Sequence, residues 1–232
     1  MTGRPNALDD AVPGSGPAAL LMLADGRFPA GGHAHSGGLE AAVAAGRVKD
    51  TGTLEAFLTG RVHTTGVIAA AFAAAACARP ETAKTLDVEL DARTPSPALR
   101  ATSRTLGRQL LRAAREIRPH ARLDALAAAL PEGPHQPIVL GVTGQVLGLS
   151  PHDAAAAALH EAVAGPATAA VRLLGLDPYA VHAVLVRLAP RLDRLASAAG
   201  HRRRPDLPSP GSPMLDISAE HHATWEVRLF AS

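Results

Sequence analysis

Leu54, Leu58, Val62, Thr65, Ile68 and Phe72 recur at steps of three and four residues, and nowhere does the chain sustain an apolar–polar alternation. That spacing lays one face of a helix against a core. Hydrophobic residues make up 47% of the 232, but aromatics only 3%, with alanine supplying much of the difference. Small side chains let helices approach closely, whereas the β-branched and aromatic residues that favour sheets are scarce. The chain is therefore expected to be all-α. It is long enough to bury a true core, in a single domain of about ten helices.

Punctuation residues divide it further. Residues 1–16, rich in Gly and Pro with Asp9 and Asp10, read as a flexible tail without an apolar signal region. The core domain is expected over 17–200. A short helix over Ala18–Ala24 leads into a glycine cluster, and a second runs from about Gly37 to Ala45, ended by Gly46. A long helix opens at Thr51 or Thr53 and stops at Pro80. A short acidic segment follows, with Glu81, Asp87, Glu89 and Asp91. Ser96-Pro97 opens a helix whose expected buried stripe is Leu99, Leu106, Leu110, Ala113 and Ile117. Further helices are expected over Leu123–Leu130 and from Pro137 to Leu147. Ser150, Pro151 and Asp153 form an N-cap signature for another, expected to break near Gly165-Pro166. The last long helix starts at Asp177-Pro178 and should kink at Pro190. Residues 201–213 read as an Arg- and Pro-rich linker. Residues 214–232 regain helical spacing and close on Trp225 to Phe230, an apolar tail that should dock on something.

Charge excludes little but directs the reading. The formal net charge is +2, too small to argue for a nucleic acid, and Lys49 and Lys84 are the only lysines. Arg100, Arg104, Arg108 and Arg112 lie four apart on one helix face, where like charges repel by roughly 0.2–0.5 kcal/mol per pair unless neutralised. Pairing with the preceding acidic segment is the favoured account, and a docking strip for an acidic partner the alternative. The single cysteine, Cys77, permits no disulfide within the chain. The longest apolar run, Val67–Ala78, falls short of the ~20 residues of a membrane span. A soluble, cytoplasmic protein without a membrane partner is expected.

The candidate functional stretch is Arg27–Glu40, where Pro29, Gly31, Gly32, His33, His35, Ser36, Gly37 and Gly38 crowd between helical segments. So much glycine implies a sharply bent loop. Ser36 can cap the following helix, and Leu39-Glu40 opens it with the acid near the positive end of the dipole. No phosphate-cradling loop or nucleophile elbow occurs. His33 and His35 form a His-x-His pair that could ligate nickel, zinc or copper, but two ligands in a loop do not make a site. The reading is therefore no resident metal and no cofactor, with a metal-binding protein or metalloenzyme built on His33 and His35 kept as the alternative. A GTPase-activating protein supplying an arginine finger is a third.

Several segments in order resemble the UreF family of urease accessory proteins. They are Leu20–Leu23 with Pro29-Ala30-Gly31 and His35-Ser36-Gly37-Gly38-Leu39-Glu40; the Arg-rich helix through Leu106-Gly107-Arg108-Gln109-Leu110-Leu111; Ala169–Leu173; and His222 through Glu226-Val227-Arg228-Leu229-Phe230-Ala231-Ser232. The chain departs from the family pattern at His33, at Gly165–Thr168, at Ala223 and at Val227. The resemblance implies an all-helical homodimer that is not an enzyme. It would bind the accessory protein UreD (also called UreH), recruit the GTPase UreG, and serve nickel insertion into urease apoprotein. It places partner contacts on the glycine loop (Gly31, Gly32, His33, His35, Ser36, Leu39, Glu40), on Arg100 and Arg108, and on the tail (His222, Glu226, Arg228, Leu229, Phe230). The tail is implied to order on UreD. Arg228 is the residue whose planar guanidinium best fits such a contact.

Overall fold

In the computed structural model, which describes residues 17–202 and 204–230 (the His33 side chain excepted), helical spacing becomes helix almost throughout. The expected N-terminal tail, residues 1–16, lies outside the described residues. The helices are α1 (Pro17–Ala24), α2 (Leu39–Ala44), α3 (Thr51–Arg61), α4 (Val67–Ala78), α5 (Ala83–Ala92), α6 (Pro97–Ile117), α7 (Ala121–Ala129), α8 (Gln136–Val146), α9 (Pro151–Leu174), α10 (Pro178–Gly200) and α11 (Pro213–Ala223).

Local chemistry sets most of the starts. Ser150 accepts the Asp153 amide at 3.2 Å while Asp153 returns a bond to Ser150, closing a capping box at α9. Ser96 accepts the Leu99 amide to start α6. Asp50 and Thr53 form a second capping box at α3, so the helix opened at Thr51 is capped one residue before it. A five-residue π turn, Val62–Gly66, joins α3 to α4 in one rod. The Thr64 hydroxyl takes the Gly60 carbonyl at 2.9 Å beside it. The continuous rod Thr51–Ala78 is long and apolar enough to cross a membrane, unlike the shorter run read from sequence. Of its most apolar window, 56% is buried inside the protein.

α4, α8, α9 and α10 pack around one core that includes Leu58, Phe72, Ile138, Leu159 and Val184. α8 is buried along nearly its whole length. It presses so closely on α4 that a Cβ at Gly141 would lie 2.2 Å from the Ala73 carbonyl oxygen.

The acidic segment after Pro80 forms a helix, α5, whose Leu86 and Leu90 are buried. Two expectations need correction. α9 does not break at Gly165-Pro166 but runs through to Leu174. Ile117, expected in the buried stripe of α6, is 56% exposed, whereas Leu110 and Ala113 are buried as expected. Half of the arginine face is met by α5: Arg104 meets Asp87 at 3.1 Å and Asp91 at 2.7 Å, and Arg100 lies 3.7 Å from Asp91.

Candidate partner-docking site

The glycine cluster is bent, as expected. Gly31, Gly37 and Gly38 hold φ of 75°, 60° and 87°. Gly38, not Ser36, is the N-cap of α2, while the Ser36 hydroxyl accepts the Glu40 amide at 3.2 Å, two residues inside the helix. At Gly37 both conformation and space demand glycine. A Cβ there would sit 3.1 Å from Arg61 Cζ and from Pro166 Cγ.

α2 begins beneath the end of the chain. Glu40 is buried, and its carboxylate accepts the backbone amides of Leu229 at 2.8 Å and Phe230 at 3.1 Å, with His222 Nε2 at 3.0 Å. Burial alone would raise Glu40. The Leu229 amide, the His222 side chain and the Phe230 amide outweigh it and hold the carboxyl below the usual range. One carboxylate thus straps the last described residues to the glycine loop.

α11 is fastened separately. Glu220 accepts the Ser96 hydroxyl and, at 2.9 Å, the Ala98 amide at the start of α6, and Arg47 donates to Ser218 at 2.8 Å. Trp225 lies against His222 with ring centroids 4.6 Å apart and donates its indole N–H to His221 at 3.2 Å.

These ties sort the residues singled out in the sequence. Ser36, Leu39, Glu40, His222 and Phe230 are buried, so they shape the site rather than face outward. Gly31, Gly32 and His35 are half-buried at its rim, and Glu226, Arg228 and Leu229 are exposed. Arg100 donates to the carbonyls of Thr94 and Pro95, and Arg108 to that of Glu132, so both close turns of their own chain. Among the described residues no three His, Cys, Asp or Glu side chains converge as metal ligands.

The loop, α6, α9 and α11 enclose a mainly apolar cavity of about 720 Å³, reached by Arg61, Glu161 and Gln136. Burial pushes Glu161 up to about 7, and Gln136 donates to it at 3.0 Å. Burial lowers Arg61 to about 10, still charged at neutral pH. Neither Arg61 nor Glu161 was singled out in the sequence. Neither residue belongs to a sequence motif, and only the packing brings each to the loop.

On the outer side lie Met214, Ile217, Val227 and Leu229, exposed by 56%, 64%, 83% and 75%. This is an all-helical protein that straps its own C-terminal segment beside a bent glycine loop, burying Phe230 and leaving Met214, Ile217, Val227 and Leu229 in the open.

The UreF family profile matches residues 48–189. A urease accessory protein UreF from Mycobacterium sp. (strain JLS) is 46% identical over 213 residues, covering 92% of this chain and 97% of that protein. One from Mycolicibacterium vanbaalenii is 44% identical over 218 residues, covering 93% and 98%. One from Mycobacterium tuberculosis (strain H37Rv) is 40% identical over 215 residues, again covering 93% and 98%. The chain belongs to the UreF family of urease accessory proteins.

Proposed function

We propose that this chain is a non-catalytic chaperone of urease maturation. As a homodimer it binds UreD (UreH), and on that platform recruits the GTPase UreG for insertion of nickel into urease apoprotein. The observation that carries the reading is the strapped segment. Leu229 stands exposed although its own amide and that of Phe230 are held by Glu40, and Val227 is exposed two residues before it. Large apolar side chains fixed in the open mark a protein interface, and a fixed backbone lowers the ordering entropy a partner must overcome. Nickel is cargo here, and the phosphate chemistry belongs to the GTPase.

Capture of UreD and then UreG tests the reading, using the full chain, the chain ending at Pro213, and Leu229→Asp. Leu229→Asp should weaken capture at least tenfold, about 1.4 kcal/mol, while the melting temperature stays put. Equal capture by all three proteins would remove the segment's role.

A further inference from the structure

Pro166 has no N–H, so the Ala162 carbonyl four residues earlier in α9 loses its helical donor. Arg61 replaces it, with Nε donating to the Ala162 carbonyl at 3.0 Å. The same guanidinium donates through Nη1 to the Gly37 carbonyl at 2.8 Å. Gly37 packs on both partners, its missing Cβ leaving room for Arg61 Cζ and Pro166 Cγ. No carboxylate among the described residues pairs with Arg61 in an ion pair. Its charge therefore serves two backbone carbonyls, one orphaned by a proline and one in the glycine loop.

Three residues beyond Gly37 stands Glu40, the acceptor for the Leu229 and Phe230 amides. We propose that Arg61 is a positioning residue for the docking segment: by bridging the proline-freed carbonyl of α9 to Gly37, it fixes the start of α2 and hence the carboxylate that straps the C-terminal backbone. The proposal deepens the docking reading above and rests on it for its biological use. Its structural content does not.

Amide exchange of Leu229 and Phe230 in the full-length chain reads the strap directly. Arg61→Met should reduce protection of both amides about tenfold, the scale of one charged hydrogen bond, while α4 and α8 amides keep theirs. Pro166→Ala restores a helical donor to Ala162. In that background the Arg61→Met loss should shrink to about threefold, because one carbonyl of the bridge no longer depends on Arg61. If Arg61→Met does not fold, Arg61→Gln, which keeps a planar donor for one carbonyl, should give about a threefold loss. Unchanged protection in the folded variant, or an equal loss with and without the Pro166→Ala change, overturns the bridge. Lost protection with undiminished UreD capture upholds the bridge and instead overturns the docking reading.

Discussion

Two buried acidic sites hold this molecule together, and they do so differently. At the first, Asp87 accepts the His135 amide at 2.7 Å and meets Arg104, which also reaches Asp91 and, at 2.7 Å, the Gly133 carbonyl. Three elements, α5, α6 and the turn before α8, close on one guanidinium. At the second, no arginine among the described residues pairs with Glu40, which holds two backbone amides and a histidine from the C-terminal segment. The first site is a cross-brace between core helices, so opening it means unfolding. The second joins a terminal segment to a loop, so it can open locally with the core intact. Fixed charges brace the scaffold, and one carboxylate gripping backbone holds the segment proposed above as a docking surface.

The largest expected effect is at the brace. Arg104→Met strands Asp87 in the interior and should cost about 3–5 kcal/mol, read as a fall in the global melting temperature. A change confined to the 130–136 turn would erase the distinction between the sites.

Glu40→Gln should lose ~1–3 kcal/mol of strap stability, seen in Trp225 fluorescence with little change in the global transition. The pH dependence follows from the lowered Glu40 value. The strap's contribution is complete above the ordinary carboxylate value of ~4.3 and fades as pH falls through the lower folded value. Glu40→Gln should abolish that acid step in Trp225 fluorescence.

A third, half-buried acid sharpens the contrast. Glu161 has an amide partner and a raised value of about 7, so its folded form keeps a proton that the unfolded chain releases. Stability then falls as pH rises from ~4.3 to 7. Glu161→Gln should raise the melting temperature by ~4 °C at pH 8 and leave it unchanged at pH 4. A gain independent of pH would mean the carboxyl is not neutral in the fold.

Much of the scaffold is legible in the chain because its signals are local. Ser96 and Ser150 cap the helices expected of them, Gly46 adopts positive φ just past α2, and α5 pairs with Arg100 and Arg104 of the arginine face. The Asp50–Thr53 box is equally local, three residues apart, yet hides behind the two threonines, Thr51 and Thr53, that each read as a start. The site is less legible. Pro166 reads as a break because its donor comes from Arg61, 101 residues away from the carbonyl it serves. Glu40 reads as a helix-dipole acid because its partners lie 182 to 190 residues further on.

Residue order therefore decided the helices, their caps and the all-α class, since side-chain spacing and capping bonds act within about one turn. Which buried acid braces the core, which one grips the C-terminal backbone, and why α9 survives its proline were settled only on packing. Each depends on donors and acceptors from distant helices meeting where water is excluded, and an unpaired polar group there is costly.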